Sequence, residues 1–323
     1  MIKLPNWQKK GLIYKCDGQD FFKTHCTRPI PFLINKDRLR IFFSSRDERD
    51  MPYPNFIDVL PYDPAVILHI NDFPLLELGK TGTFDDSGIT PVSILKEKGN
   101  NPLMYYVGWK RRRYGATIET SIGVAEMNHD GSRVRRLHEG PILGQDRTHP
   151  ILVAAPFVTR RNKIYDMWYC SGSEWREMPH GFEMIYTVFH ADSNDRFSWT
   201  QSKGEACILP MFDGEVISAP WVVDTQKGKI MWYSTRGSSS IKAKNYMAGV
   251  ATSEDGINWI RRDTEVGITK SANGWDSEMI CYPAIFNYGE KSYMFYSGNG
   301  VGKGGLGYAV ADKKIDIVSA MSH

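Results

Sequence analysis

One pattern constrains this chain more than any other: an aromatic-rich, strand-like segment that returns at a fixed interval. Its copies read Arg40-Ile41-Phe42-Phe43-Ser44-Ser45, Leu103-Met104-Tyr105-Tyr106-Val107-Gly108 and Asp166-Met167-Trp168-Tyr169-Cys170-Ser171. Two more are Ile230-Met231-Trp232-Tyr233-Ser234-Thr235 and Tyr293-Met294-Phe295-Tyr296-Ser297-Gly298. Aligned on Phe43, Tyr106, Tyr169, Tyr233 and Tyr296, the copies stand 63, 63, 64 and 63 residues apart. Such a period marks a repeat architecture in which each copy is one supersecondary unit.

Two further series keep step with the first. Pro31, Pro91, Pro156, Pro220 and Pro283 precede it in short apolar stretches, spaced 60, 65, 64 and 63. Small residues between apolar ones follow it, in Ser121-Ile122-Gly123-Val124-Ala125, Met247-Ala248-Gly249-Val250-Ala251 and Leu306-Gly307-Tyr308-Ala309. Tyr186-Thr187-Val188-Phe189-His190-Ala191 is a degenerate copy. After two of these come Asn128-His129-Asp130-Gly131 and Ser253-Glu254-Asp255-Gly256, and Asp-Gly between strand-like runs signals a hairpin. Each repeat thus holds four strand-like segments. Four-stranded units repeated radially are propeller blades, whereas helical repeats would show a 3.6-residue period. The expected fold is all-β: one five-bladed β-propeller, four antiparallel strands per blade, spanning residues 1–323 as a single domain. Length alone would suggest two domains, a prior that fails for all-β architectures. Aromatics at 12%, with 29 Gly and 17 Pro for turns, agree with the β reading.

Several classes fall away. No apolar run reaches the ~20 residues of a membrane span, and Met1–Lys10 has no continuous apolar core before a cleavage site, so neither membrane span nor signal peptide is expected. Cys16, Cys26, Cys170, Cys207 and Cys281 are odd in number and lack CxxC spacing, which reads as reduced thiols of a cytoplasmic protein. A net charge of +3 gives no argument for nucleic acid, and Lys110-Arg111-Arg112-Arg113 reads as a solvated loop. No spacing identifies a metal site, and no cofactor is expected.

Blade geometry sorts the functional candidates. The first strand of a blade lines the channel and the second returns antiparallel, so the start of one and the end of the other share a rim. Counted back from the aligned prolines, Asp86, Glu215 and Glu278 lie five residues earlier, His149 and Asp276 seven, and Arg28 three. All offsets are odd, so strict alternation puts these side chains on the channel-facing side. Three residues past the aligned aromatics stand Arg46, Trp109, Gly172, Arg236 and Asn299, with Trp175 close behind. Carboxylates and arginines around aromatic plates suit a polar ring such as a sugar. The bland readings are packing for Trp109 and Trp175, a turn for Asp86, a surface ion pair for Arg46, a cap for Asp276 and a loop for His149.

With five blades and acidic strand starts, the chain resembles the propeller glycoside hydrolases and phosphorylases of families 32, 43, 62, 68 and 130 over essentially its whole length. Ala251-Thr252-Ser253-Glu254-Asp255-Gly256-Ile257-Asn258-Trp259 looks like their Ala-x-Ser-x-Asp-Gly-x-x-Trp blade signature. Phe84-Asp85-Asp86-Ser87-Gly88-Ile89-Thr90 is similar to the family 130 stretch aromatic-Glu-Asp-Pro-Arg-Val-Thr, which would put Asp86 on that family's catalytic carboxylate. Ser87 and Gly88 depart from its Pro and Arg. Glu215, heading the fourth blade, looks like the general acid of family 43. Families 32 and 43 start their first blade with an aspartate. Here Thr24-His25-Cys26-Thr27-Arg28-Pro29-Ile30-Pro31 has none, and Arg28 favours an anion such as phosphate, a sugar carboxylate or a diphosphate.

The leading expectation is therefore a carbohydrate-active enzyme working at a glycosidic bond. Glu215 or Asp86 would be general acid, Asp276 charge partner or base, and Arg28, Arg46 and Arg236 a clamp for anions and hydroxyls. Trp109, Trp175, His149 and Asn299 would complete the binding site. Two alternatives stand beside it: a cytoplasmic glycan-assembly enzyme using an activated or anionic sugar, and a non-catalytic carbohydrate-binding propeller.

Overall fold

Every aligned aromatic strand is the second strand of a four-stranded antiparallel sheet. The computed structural model describes residues 2–16, 18, 20–112, 118–178, 181–201, 205–237 and 245–318. After β1 (Trp7–Tyr14), the first sheet runs β2 (Thr24–Asn35), β3 (Arg38–Arg46), β4 (Pro52–Leu60) and β5 (Asp63–Ile70). The second holds β6 (Gly88–Leu95), β7 (Leu103–Arg111), β8 (Ile118–Met127) and β9 (Val134–Arg136). The third holds β10 (Val153–Arg161), β11 (Ile164–Met178), β12 (Gly181–Ser193) and β13 (Thr200–Gln201). The fourth holds β14 (Val216–Thr225), β15 (Gly228–Arg236), β16 (Met247–Ser253) and β17 (Ile260–Arg261). The fifth is β18 (Cys281–Tyr288), β19 (Lys291–Ser297) and β20 (Leu306–Ala311), with β1 as its outer strand. The protein is a five-bladed β-propeller. No described helix is long and apolar enough to cross a membrane.

The chain divides into two compact units. One comprises Met1–Leu75, Trp221–Ser234 and Asn245–Ser319; the other comprises Leu76–Pro220 and Thr235–Lys244. In both, the aligned aromatics are core: Phe43, Tyr106, Tyr169, Tyr233 and Tyr296 are fully buried. The small-residue series has a steric cause. Tyr106 pairs across strands with Gly123, and a Cβ there would come within 2.3 Å of the Tyr106 ring. At Gly307 it would come within 2.4 Å of the Trp275 indole. The degenerate third copy has Phe189 opposite Tyr169 instead, the two rings 6.2 Å apart.

The first strands are where simple alternation breaks. Arg28, Ala155, Ala219 and Tyr282 all have φ between 51° and 60°, and each directly precedes a proline. Left-handed backbone is uncommon outside glycine. The ladder registers also slip, between Thr27 and Ile30, Pro91 and Ser93, Ala154 and Phe157, and Cys281 and Ala284. By this geometry the first-blade counterpart of Pro156, Pro220 and Pro283 is Pro29 rather than Pro31. Arg28 then stands one residue before its proline, in the place of Ala155, Ala219 and Tyr282. A serine after the aligned aromatic secures this bend in the neighbouring blade: Ser234 Oγ accepts the Tyr282 amide at 2.7 Å, and Ser297 Oγ accepts the Arg28 amide at 3.2 Å.

All five cysteines are buried free thiols. In the basic run, Lys110 donates to the Gly82 carbonyl and Arg112 meets Glu119 at 2.7 Å, while Arg113 lies outside the described residues. The Asp255 loop closes as its sequence suggests: Asp255 Oδ1 accepts the Ile257 and Asn258 amides, and the Trp259 indole donates to Gly256. A second loop of this kind runs from Ser193 to Trp199, where Asp195 accepts the Phe197 and Ser198 amides. Arg196 holds the turn at φ 77°, where the other loop has glycine.

Candidate active site

A buried tyrosine hydroxyl needs a partner, and the four aligned tyrosines find theirs in the residues just before or after the blade. Tyr106 donates to Asp85 at 3.0 Å, Tyr296 to Asp276 at 2.9 Å and Tyr233 to Asp263 at 2.5 Å, while Tyr169 faces His149 Nε2 at 3.4 Å. A cation completes the three acidic cases. Arg136 meets Asp85 at 2.8 Å, Lys9 meets Asp276 at 2.8 Å and Arg261 meets Asp263 at 2.6 Å. The preceding aromatic stacks on the tyrosine, Phe84 on Tyr106 and Trp275 on Tyr296. Asp276 is thus the fifth-blade counterpart of Asp85, not of Asp86. Its carboxylate is tied inside its own blade, to Tyr296 and Lys9. His149, 1% exposed, fills the same place beside Tyr169 and Phe189.

Two other predicted residues are engaged in turns. Asp86 is half-buried; it accepts the Gly82 amide at 2.8 Å and the Ser87 hydroxyl at 2.7 Å. Asn299 accepts the Glu278 and Met279 amides and donates to the Gly274 carbonyl and the Ser277 hydroxyl, which uses its whole amide. Trp109 is half-buried in β7, between Gly88 and Thr120 on the adjoining strands.

The remaining predicted residues form two groups, one in each unit. In the second unit, Glu215 is 2% exposed at the head of β14. Its Oε1 accepts the Thr235 hydroxyl at 2.7 Å, and its Oε2 accepts the Met211 amide at 2.6 Å. Arg236, next to Thr235, approaches Glu183 at 3.9 Å. Glu183 faces Arg176 across the β11–β12 hairpin, and Arg176 grips Glu174 at 2.8 Å and Asp213 at 2.9 Å. That hairpin is long: β11 runs nine residues past Tyr169, whereas β3 and β15 end three past Phe43 and Tyr233. The added length carries Glu174, half-buried Trp175 and Arg176. Sequence reasoning missed Glu183 and Arg176; their only signal was the acid–base alternation in Glu174-Trp175-Arg176-Glu177, inside the least regular repeat.

In the first unit, the Arg28 guanidinium lies 4.2 Å over the Tyr282 ring, and Tyr282 packs 5.9 Å from Tyr246. Arg46 pairs with Asp50 at 2.9 Å. His25 is held neutral: burial first, then the charges of Arg46 and Lys303, lower its pKa to about 4 against an opposing pull from Asp50.

A pH effect follows. Because the folded pKa of His25 lies below the ordinary 6.5, its share of stability is present above that value. It is lost as pH falls from about 6.5 towards 4, where unfolded chains take up the proton first. His25→Asn keeps a residue tolerant of φ 66°. Urea midpoints should fall less steeply over this window in the variant, and equal slopes would show that His25 is not held neutral.

Two surface grooves, about 530 Å³ beside Trp199 and about 620 Å³ beside Trp7, are lined by none of the predicted site residues.

The propeller is of the kind found in glycoside hydrolases. A solved structure described as a glycoside hydrolase matches with TM-score 0.74 at 17% identity, over 99% of this chain and 95% of that one. A structure from work on "the GH130 family of mannoside phosphorylases", which contains hydrolases targeting β-1,2 mannosidic linkages in Candida mannan, matches at 0.64 and 16%, over 95% and 94%. At such identities the likeness is one of fold. No protein-family model matches the chain. It is 32% identical over 312 residues, 95% of this chain and 99% of the relative, to the uncharacterized protein Rv1502 of Mycobacterium tuberculosis (strain ATCC 25618 / H37Rv), and it belongs to the family of that protein.

Proposed function

We propose that the protein is a carbohydrate-active enzyme acting at a glycosidic bond, with Glu215 as general acid and Glu183 as the second carboxylate. The observation that carries this is the Glu215 setting: a buried carboxyl heading a first strand, bonded to Thr235, whose neighbour Arg236 reaches another carboxylate. Glycosidic chemistry needs two carboxyl groups in different roles. In this reading Arg236 would bind hydroxyls and restrain Glu183, and Trp175 would offer a face for a sugar ring. Asp86 is the weaker acid candidate, since it is only half-buried where Glu215 is 2% exposed.

Phosphorolysis and transfer from an anionic sugar stand beside plain hydrolysis, because the start of the first blade carries Arg28 and no carboxylate. The test is a panel of α- and β-linked oligosaccharides incubated with and without inorganic phosphate, with products separated by anion-exchange chromatography. Free sugar in both arms indicates hydrolysis, and sugar 1-phosphate only with phosphate indicates phosphorolysis. Binding without cleavage across the panel would overturn the enzyme reading in favour of a carbohydrate-binding propeller.

A further inference from the structure

We propose that Cys16 and Cys26 are a redox couple, which a hydroperoxide joins into a reversible disulfide that staples the exit of β1 to the head of β2. Their sulfurs lie 3.4 Å apart, in direct contact. Cys16 stands two residues past the end of β1, and Cys26 is the third residue of β2. The Cys16 thiol donates to the His25 carbonyl at 3.0 Å, which holds it against the residue before its partner. With that hydrogen committed, the Cys26 thiol is the donor between the two sulfurs. Cys281, by contrast, turns its thiol to the Ser297 carbonyl at 3.5 Å. The backbone on the Cys26 side is fixed. Its carbonyl accepts the Ser297 hydroxyl at 2.8 Å, and the Thr27 hydroxyl donates to the Val301 carbonyl at 2.7 Å. Ser297 Oγ also accepts the Arg28 amide, so the movement that closes the two sulfurs falls on Cys16.

Exposure sets the order of events. Cys16 is 7% exposed and Cys26 0%, so a small oxidant meets Cys16 first. Burial, and then the bond to Cys16, push the Cys26 thiol well above the usual range, so it keeps its proton until the sulfur beside it becomes electrophilic. With hydrogen peroxide, the Cys16 thiolate attacks one oxygen and the O–O bond breaks. The leaving hydroxide takes the proton that Cys16 released, and Cys16 becomes a sulfenic acid. The Cys26 sulfur then attacks the Cys16 sulfur and the S–O bond breaks, the departing hydroxide carrying off the Cys26 proton as a second water. Two thiols have lost two electrons and two protons, and one peroxide has become two waters. The second step joins groups already in contact, which favours it over further oxidation of Cys16. The bond links positions 10 apart in sequence, one beside the outer strand of the fifth blade and one in the first strand of the first. Such a link stabilises chiefly by restricting the unfolded chain.

The experiment takes the intact protein, reduced with dithiothreitol and freed of it, and exposes it to hydrogen peroxide. Remaining thiols are alkylated in denaturant and the tryptic peptides mapped by mass spectrometry. The expected product is one peptide pair joined through Cys16 and Cys26, two hydrogens lighter than its reduced members and separated again by dithiothreitol. Oxidised protein should melt a few degrees above reduced protein, and the melting temperature of Cys16→Ser should not respond to peroxide. In Cys26→Ser the sulfenic acid has no partner, so dimedone should capture it on Cys16. The wild-type peptide map stands by itself if that variant fails to fold. Recovery of Cys16 and Cys26 as alkylated thiols, or a link from either to Cys170, Cys207 or Cys281, overturns the proposal. So does a Cys16–Cys26 link that forms only in urea, or one that leaves the melting temperature unchanged or lower. None of these readouts depends on the catalytic reading of Glu215.

Discussion

Glu215→Gln is expected to lower turnover on the natural glycoside by about 10²–10⁴-fold, the usual contribution of general acid catalysis. Glutamine keeps the size and can still accept the Thr235 hydroxyl, but it places an NH₂ against the Met211 amide. One buried amide then lacks its acceptor, which costs about 1–3 kcal/mol of stability. Rates must therefore be compared per folded molecule. The sharper readout is the leaving group. A glycoside of 2,4-dinitrophenol departs without protonation, so the variant should act on it far better, relative to wild type, than on an alkyl glycoside. The rate-limiting ionisation on the basic side of the pH profile should also disappear. Equal losses on both substrates would sink the acid assignment, because a group that merely positions the sugar does not distinguish leaving groups.

The repeat was legible because it rests on packing that tolerates little change. An aligned tyrosine lies over a glycine on the next strand, and a Cβ at Gly123 would overlap its ring. Such positions keep their residue types in register, and the period, blade number and strand content follow from them. The site was less legible because its residues were counted through the one irregular stretch of each blade. The left-handed residue before the proline, together with the slipped register, turns an odd offset into an unreliable guide. Hence Asp276 and Asp86 share an odd offset, although Asp276 shares its bonding with Asp85. His149 shows a second reason. Phe189 replaces the third-strand glycine in its blade, and a histidine then faces the tyrosine where other blades have aspartate. Glu215 sits at the strand head, where a carboxylate interrupting an apolar approach has no bland explanation in the sequence.

Arg136→Met should cost about 3–5 kcal/mol, the usual penalty for leaving one buried charge without its partner. Asp85 is 0% exposed; without Arg136 it would retain, among the described residues, the Tyr106 and Thr83 hydroxyls as donors to its side chain. The Glu77 carbonyl, which accepts from the same guanidinium, would lose that donor as well. Combining Asp85→Asn with Arg136→Met should recover much of the loss, since it removes the stranded charge while keeping an acceptor for Tyr106. Lys9→Met, in the fifth blade, should cost less than Arg136→Met, because Lys9 is 24% exposed and water can approach Asp276 once the ammonium is gone. Urea unfolding of these variants beside wild type measures this. Turnover per folded molecule should stay near wild type throughout, the reverse of the Glu215→Gln pattern. A variant of Arg136 or Lys9 that keeps its stability but loses turnover would move Asp85 or Asp276 from the framework back to the chemistry.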